Sequence, residues 1–570
     1  MPENSRPTTR GDDAAALASP PAEIVVPDHA VSALLDDAAA RFGDKVALDF
    51  LGATTTYGAL SAQVQRAAGL LADAGVRAGD RVALVLPNCP QHVVAFYAAL
   101  RLGAVVAEHN PLAPPAEIQA QLDAHGARVV VCWEKALDRV APGGDRRGRT
   151  VFAVDLTAAL PLRSRLLLRL PVAAARAQRG AMRGPVPAGV RSWERAMRTA
   201  APVASDHPQP SAGDLAVLLH TGGTTGTPKA VALTHRNLLA NVAQGEAWVP
   251  GLRPGTETFY AALPFFHAFG LTLSLTFAVR VGATQVVLPR FDVDMVLAAM
   301  RRRPATFFPG VPPMFDRLSR AAIERGADLT SVRFAISGAM ALDPEVAARW
   351  EDVTGGLIIE GYGMTECSPV ALGNPMGPSR RPGALGIPFP STQIRIVDPE
   401  DPATDVPDGE LGELLVRGPQ VFSGYYRRPE ESAAVLLEGG WLRTGDIVRR
   451  ESDGFVVLAD RIKELIISGG FNVYPSQVED AVRAMPGVSD VAVVGLPDGV
   501  RGESVVAALV LDPGARVDLD TVRRWTHDRL SHYAMPRRIA VLDELPRSQL
   551  GKVLRRTVRE QLLHRGEDAR

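Results

Sequence analysis

The apolar run Leu215-Ala-Val-Leu-Leu219 passes directly into His220-Thr-Gly-Gly-Thr-Thr-Gly-Thr-Pro-Lys-Ala-Val231. A short apolar run closed by glycines reads as a buried strand ending in a tight loop. Glycines let backbone N–H groups approach an anion closely, the threonine hydroxyls can donate to phosphate oxygens, and Lys229 adds a positive charge. The loop is suited to a polyphosphate. It is not the generic P-loop, which ends in Gly-Lys-Ser/Thr: here Pro228 precedes Lys229 and Ala230 follows it.

A chain of 570 residues is too long for one core, so two or more domains are expected. Charged residues make up 22% and apolar ones 46%, as in an ordinary water-exposed globular protein. A net charge of −1 gives no global attraction to nucleic acid or to an anionic membrane, so any basic surface is local. Cys89, Cys132 and Cys367 are far apart and form no CxxC pair, which argues against a disulfide framework or a zinc site and for a reducing cytoplasm. Residues 1–29 read as a disordered lead-in, because Ala14-Ala-Ala-Leu-Ala18 is too short for a signal-peptide core. Thr258–Val279 carries no formal charge and is long enough to span a bilayer, yet it holds Pro264, His267, Thr272, Ser274 and Thr276. A buried strand, loop and helix is the preferred assignment.

From Ser32 to Leu288 apolar runs alternate with amphipathic stretches. Arg81–Leu86, Gly103–Val106, Val129–Cys132, Leu215–Leu219 and Gln285–Leu288 read as strands, while Gln91–Leu102 and the residues after Asn237 read as helices. Such alternation implies doubly wound, parallel α/β layers. Phe334–Ser337 adds a strand that ends at Gly338-Ala339. Past Gly383 the pattern becomes β-rich, with hairpin turns at Asp408-Gly409 and Asp453-Gly454. After Asp460 come a capping box, Ser476-Gln-Val-Glu479, and strands at Val491–Val494 and Val505–Leu511. The expected fold class is α/β: a large N-terminal domain over 30–459 with a β-rich subdomain, and a small mobile α+β domain over 460–570.

One segment departs from this average. Between Asp155 and Glu194 there is no acid, but there are seven arginines (Arg163, Arg165, Arg169, Arg176, Arg179, Arg183 and Arg191), with leucines around the first of them. Two assignments stand: a solvated surface insertion, or a basic, leucine-rich stretch over 162–183 that makes weak peripheral contact with an anionic membrane.

Other stretches are weak alone. Leu263-Pro-Phe-Phe-His-Ala-Phe-Gly270 puts His267 among aromatics, where a lone histidine reads as a packed core residue. Gly361-Tyr-Gly-Met-Thr-Glu-Cys-Ser-Pro369 places Thr365 and Glu366 after a glycine-lined turn, and a buried carboxylate there needs a cation or donors. Thr444-Gly-Asp446 and Asp460-Arg-Ile-Lys463 supply an acid and a base, and Pro546-Arg-Ser-Gln-Leu-Gly-Lys552 supplies a lysine after a glycine.

In this order, together with Thr56-Tyr57, Gly79-Asp-Arg-Val-Ala83, Leu86-Pro-Asn88 and Asn110-Pro111, these stretches resemble the adenylate-forming superfamily of acyl-CoA synthetases, luciferases and peptide-synthetase adenylation domains. The likeness runs from about Ala30 to about Arg556, and Ser468-Gly-Gly-Phe-Asn-Val-Tyr-Pro475 with the Arg-Leu segment near residue 165 is most similar to bacterial long-chain fatty acid–CoA ligases. The resemblance implies an AMP-forming ligase that uses ATP, Mg²⁺ and CoA: a fatty acid carboxylate attacks the α-phosphate, then the CoA thiol attacks the acyl-adenylate.

By motif, Thr221, Gly222, Gly223, Thr224, Thr225, Gly226 and Lys229 would hold the β- and γ-phosphates. Thr365 would contact the α-phosphate, and Glu366 with Thr221 would bind Mg²⁺. Gly338, Ala339, Gly361 and Tyr362 would border adenine, while Asp446 and Arg461 would hold the ribose. His267 would stand at the mouth of the acyl pocket. Lys552 would bridge carboxylate and α-phosphate, Asp460–Lys463 would be a hinge, and Ser468, Gly469, Gly470 and Phe471 would help form the CoA channel. His220 stands where tyrosine is common, Ala230 where glycine is, Glu360 where glutamine is frequent and Gln477 where glutamate is. None of these removes a charge the reaction needs. The competing assignments are a fatty acyl-AMP ligase that loads a carrier protein, an aryl or short-chain acid–CoA ligase, and a non-catalytic nucleotide sensor. Retention of Lys229, Glu366, Asp446, Arg461 and Lys552 argues against the last. A homodimer is compatible with all of them.

Overall fold

A computed structural model describes residues 20–204, 206–221, 229–468, 471–498, 502–527, 529–548 and 551–567. Of the expected lead-in, residues 1–19 lie outside the described residues. Its end is tied down: the Ile24 amide donates to the Ser391 hydroxyl at 3.0 Å, and the Ser391 amide donates to the Ala22 carbonyl at 2.8 Å.

The chain divides into two units. One holds the chain up to Gln393 together with Arg417–Gly440, the other Ile394–Val416 and Trp441 onward. Much of the β-rich stretch between Gly383 and Asp460 therefore groups with the C-terminal residues rather than with the large unit.

Among the described residues the first unit is built on two sheets. One has eight strands in the order Gly424–Tyr425, Lys229–Thr234, Leu215–Thr221, Val105–Glu108, Arg81–Val85, Val129–Trp133, Thr150–Val154 and Arg191–Ser192. The other has nine, ordered Ile387–Pro388, Val370–Gly373, Leu357–Gly363, Phe334–Ser337, Phe307–Gly310, Thr258–Ala261, Thr284–Val287, Val46–Phe50 and Ala53–Thr56. Their central strands pair in parallel and antiparallel pairs lie toward the edges. Parallel strands need crossovers that cover both faces, which is the arrangement the strand–helix alternation implies.

The helix Pro90–Arg101 is the crossover between Arg81–Val85 and Val105–Glu108, and every residue from Gln91 to Arg101 is buried. It is apolar around almost its whole circumference, so no face of it can be left in water. The Tyr97 hydroxyl donates to the Leu275 carbonyl at 2.6 Å. Asn88, just before the helix, donates to the carbonyls of Ala261 and Leu263 at 3.0 and 2.7 Å and accepts from the Phe265 amide at 2.8 Å. The helix is thereby joined to the connections of the nine-stranded sheet.

Those connections lie in the uncharged stretch. It forms the strand Thr258–Ala261, a helical turn at Ala268–Gly270, a π-helical segment Leu271–Phe277 and a last turn Ala278–Arg280. Among the described residues no helix is long and apolar enough to cross a membrane. Gly270 has to be glycine, because a Cβ there would lie 2.1 Å from the Pro264 carbonyl oxygen.

The arginine-rich segment forms two helices, Leu162–Leu167 and Ala173–Met182. Leu162 is 68% exposed, and Leu166, Leu167, Leu170 and Val172 are exposed as well. Some of the arginines have partners from outside the segment: Arg183 pairs with Glu134 and Asp155, and Arg191 lies over the Phe152 ring.

In the second unit the strands Gly412–Arg417, Trp441–Arg450 and Val456–Arg461 pair antiparallel in that order. A second sheet runs Phe471–Val473, Ile466–Ser468, Gly502–Leu511 and Val488–Asp498, with Arg538–Val541 parallel to Gly502–Leu511. The capping box expected at Ser476–Glu479 does not form. Pro475 takes the first helical position of Pro475–Arg483, so Ser476 lies inside the helix and Tyr474 is the N-cap, with no side-chain bond. The cap comes from elsewhere in the unit: the Asp460 carboxylate accepts the Ser476 amide at 2.7 Å. Glu479 faces inward and accepts from the Val493 amide and the Arg555 guanidinium.

One buried charge in the first unit tests its packing. Asp49, 1% exposed, accepts from Arg302 at 2.9 Å, from Arg303 at 3.0 Å and from the Gly52 amide at 3.0 Å. Burial raises its pKa, but the two guanidinia and the amide outweigh burial and hold it below the usual carboxylate value. Asp49→Ala is expected to lower unfolding stability by about 3 kcal/mol in a urea melt, since it strands two cations at a packed edge. Because the folded pKa is depressed, the wild-type contribution is present above the ordinary carboxylate range. It is lost as pH falls through the folded value, and the variant will lack that acid sensitivity.

Candidate active site

The strand Leu215–Thr221 and the strand Lys229–Thr234 are an antiparallel pair, with Thr221 opposite Lys229. They bring the two ends of the phosphate-type loop together. Gly222, Gly223, Thr224, Thr225 and Gly226 lie outside the described residues. The Lys229 ammonium pairs with Glu431 at 3.0 Å and lies 4.9 Å from the centre of the Tyr425 ring.

Tyr425 was not singled out by any motif, yet it reaches the centre of this unit's polar cluster. Its hydroxyl donates to the Glu366 carboxylate at 2.8 Å, and burial followed by the Glu366 charge pushes its pKa up. Glu366 is only 6% exposed and sits in the 3-10 turn Thr365–Cys367. A buried carboxylate needs donors or a cation, and Tyr425 is one such donor. The Phe422 amide also donates to the Glu366 backbone carbonyl at 2.8 Å. Gly363, just before this turn, allows a close backbone approach: a Cβ there would stand 1.8 Å from the Pro369 carbonyl.

Gly338 and Ala339 follow the strand Phe334–Ser337, and Gly361 and Tyr362 end its parallel neighbour Leu357–Gly363. They stand at carboxyl ends of parallel strands, where open α/β sheets take their ligands. Ala339 adopts φ +68°, a conformation costly for a residue with a Cβ. Beside them Glu360, the departure from glutamine, accepts the Leu342 amide at 3.2 Å and the Gly383 amide at 2.8 Å. Its side chain therefore joins two loops. Burial raises its pKa, and the two amides oppose that rise.

The imidazole Nδ1 of His267 accepts the Phe269 amide at 3.3 Å, and burial pushes its pKa down to about 4. His267 is thus neutral near pH 7 and caps the turn that starts the π-helical segment. Behind this region an apolar cleft is lined by Asn241, Gly245, Trp248, Phe277, Gly361 and Phe389. Trp248 and Phe389 stack at 4.1 Å, and the Trp248 indole N–H donates to the Asn374 carbonyl at 2.9 Å. None of the residues Trp248, Phe389 and Asn241 carries a sequence signal, because their meeting depends on packing.

The second unit gathers its own cluster. Asp446 and Arg461 face each other across adjacent strands and pair at 3.0 Å. Thr444 donates its hydroxyl to the Leu414 carbonyl at 2.8 Å and accepts the Asp446 amide at 3.1 Å, which fixes the backbone of the strand at Asp446. Lys552 lies beside this pair. Burial first, then the Arg461 charge, pull its pKa down to about 8, with Asp446 opposing. Alone in sequence Lys552 reads as a solvated charge, and the fold instead makes it partly buried. Three residues on, Arg555 is bound by Glu464, Glu479 and Ser476, which fastens the start of the helix Arg555–Glu567. Ser468 is buried at the end of Ile466–Ser468, with its backbone opposite Gly502 and Phe471. Gly469 and Gly470 lie outside the described residues.

A family model described as AMP-binding enzyme matches residues 35–426, and one for the AMP-binding enzyme C-terminal domain matches residues 477–552. The chain is 36% identical over 554 residues to a long-chain-fatty-acid–CoA ligase of Bacillus subtilis, covering 95% of this chain and 96% of that one. To the protein of the same name from Salmonella typhimurium it is 35% identical over 539 residues, covering 93% and 94%. ATP-bound MatB from Rhodopseudomonas palustris superposes with a TM-score of 0.80 at 31% identity, covering 93% of this chain and 98% of that one. With polar groups gathered at the ends of parallel strands and a match that spans most of its length, the chain belongs to the AMP-binding enzyme family.

Proposed function

We propose that the protein is an ATP- and Mg²⁺-dependent acid–CoA ligase that activates medium- to long-chain fatty acids as acyl-adenylates and passes them to CoA. The observation that carries this reading is the retention, each in a supported position, of Lys229, Glu366, Asp446, Arg461 and Lys552. A nucleotide sensor would need no partly buried lysine with its pKa drawn to about 8. The names of the bacterial relatives, together with identities above a third over nearly the whole chain, favour a fatty acid over an aryl acid.

Activation joins two anions, a carboxylate and the α-phosphate. Lys229 and Lys552 supply positive charge, and the protein's work is to position groups and offset developing charge. Glu366 and Thr221 offer hard oxygen donors of the kind Mg²⁺ takes, and the Tyr425 bond to one Glu366 oxygen orients that carboxylate. The ion, when bound, would neutralise phosphate charge. Asp446 and Arg461 hold the ribose hydroxyls. A turn of the C-terminal part about Asp460–Lys463 then removes Lys552 before the CoA thiol attacks the acyl carbonyl and AMP leaves. The intact Asp460-Arg461 pair and Ser468-Gly-Gly-Phe471 favour CoA over a carrier protein as acceptor.

The segment over 162–183 is proposed to touch anionic membrane weakly. Its exposed Leu162, Leu166, Leu167 and Leu170 lie among arginines that contribute roughly 1 kcal/mol each near lipid. The protein is expected to float with anionic vesicles at low salt and to be released as salt rises. Indifference to such vesicles would leave a solvated insertion.

A panel of acids from acetate to palmitate, with cinnamate, assayed for acyl-CoA formation tests the substrate class. Each added methylene that fits should strengthen binding roughly fourfold, at about 0.8 kcal/mol, until the cleft ends. Better turnover of acetate and cinnamate than of octanoate and palmitate would overturn the fatty-acid assignment.

Lys552→Ala should separate the two half-reactions. Adenylation should fall by about 10²-fold or more, while supplied acyl-AMP and CoA should still give acyl-CoA at a near wild-type rate. In the wild type, adenylation kcat/KM should decline as pH rises through about 8, because the ammonium loses its proton there. Equal loss of both half-reactions in a folded variant would refute the assigned role.

A further inference from the structure

Three histidines outside the proposed reaction converge in the first unit. His109 follows the strand Val105–Glu108, His125 ends the helix Pro115–His125, and His220 lies in Leu215–Thr221, one residue before the phosphate-type loop. One ring nitrogen from each lies within 4.8 Å of the others. The ring centres are 5.1 Å apart for His109 and His125, 4.8 Å for His109 and His220, and 5.7 Å for His125 and His220. Three nitrogens at about 2.0–2.1 Å from a tetrahedral ion stand about 3.4 Å from one another. Side-chain rotations of roughly 1.4 Å at the widest pair would meet that spacing.

Two of the rings already carry an unprotonated nitrogen, although the rings of His109 and His220 are stacked at 29° and must turn for both lone pairs to meet one ion. The Gln121 amide donates its Nε2 to Glu117 at 3.0 Å, so its Oε1 faces His109 Nδ1 at 2.8 Å and must accept from it. His109 Nε2 is then unprotonated. His220 Nδ1 donates to the Glu108 carbonyl at 3.0 Å, which leaves its Nε2 unprotonated too. That Nε2 is buried and has no hydrogen-bond partner among the described residues. Donation of the second ring nitrogen to a carbonyl is the support that metal-ligating histidines normally have. His125 is the ligand that must adjust. Its Nδ1 accepts the Ala127 amide at 3.2 Å, so its Nε2 carries the proton and donates to His109 at 3.0 Å.

We propose that His109, His125 and His220 form a site for a divalent, imidazole-preferring transition-metal ion, Zn²⁺ above all. The ion would replace the hydrogen bond between His125 and His109 and move the His125 proton from Nε2 to Nδ1, which breaks the bond that Nδ1 accepts from the Ala127 amide and requires the ring to turn from that N–H. It would also give the stranded His220 Nε2 a partner. Three neutral imidazoles and no thiolate or carboxylate suit Zn²⁺, Cu²⁺ or Ni²⁺ rather than Mg²⁺ or Ca²⁺. Burial and the neighbouring rings keep His109 well below its ordinary pKa, and burial does most to bring His125 to about 3. None of the rings therefore takes up a second proton near pH 7. Arg81, Arg149 and Arg427 oppose a dication here, as they oppose protonation of His125. The ion would join the end of Val105–Glu108, the end of Pro115–His125 and the strand that leads into the loop. It is separate from the Mg²⁺ proposed for Glu366 and Thr221.

The test uses the untagged full-length chain, freed of metal by a chelator, without ATP or Mg²⁺. Co²⁺ is the spectroscopic probe, and Zn²⁺ is followed by titration calorimetry. One ion per chain is expected, with the visible absorption of four-coordinate Co²⁺ that Zn²⁺ displaces. His220→Tyr should abolish this spectrum. Gln121→Leu, which releases only the support of His109, should weaken binding by about 10- to 100-fold. Absence of a one-to-one Co²⁺ complex in the wild type would overturn the site, as would unchanged binding in both folded variants.

Discussion

The helix Pro90–Arg101 is apolar around almost its whole circumference, and a helix of that kind is stable only when covered on every side. In the first unit part of that cover comes from the connections of the nine-stranded sheet. The strand before the helix belongs to one sheet, and its side-chain bonds reach the connections of the other. Asn88 binds three backbone groups between Ala261 and Phe265, and Tyr97 holds the Leu275 carbonyl. The residues thus fixed frame His267. The same packing that buries an apolar helix positions a segment assigned to the acyl pocket.

Buried and half-buried ionisable groups are organised by pairing within each unit. In the first, Lys229 has Glu431 and the Tyr425 face, Glu366 has the Tyr425 hydroxyl, and Glu360 has two backbone amides. In the second, Asp446 and Arg461 pair across a strand register, and Lys552 lies within their field. Each partner set keeps a charge that would be costly alone in a low-dielectric setting. Two of these partners, Tyr425 and Glu431, are far from Lys229 in the chain. They come from a stretch that crosses back to pair with Ala232 and Val231.

Much of the architecture was legible in the chain because periodicity is local. The strands around Arg81, Val129, Leu215 and Phe334, and the helix after Pro90, lie within a few residues of their expected bounds. The uncharged stretch from Thr258 resolves into strand, loop and helix, with Pro264 in the break and Thr272, Ser274 and Thr276 inside the helical part. The capping box at Ser476 failed for an equally local reason: Pro475 occupies the first helical position, and the Ser476 amide donates instead to the Asp460 carboxylate, sixteen residues away. No spacing rule anticipates a cap supplied from that distance.

By itself the sequence determined the strand–helix alternation, the loop between Leu219 and Val231, and the set of charged residues that the family motifs carry, since each depends on neighbours in the chain. Only the tertiary structure decided which of those charges are partnered, and by whom. Tyr425 meets Glu366 across 59 residues, and His109 stands with His220 across more than a hundred. It also decided that Lys552 is partly buried with its pKa drawn down, rather than a solvated cation. The reason is that burial and field are sums over groups that packing brings together, and no local pattern records that sum.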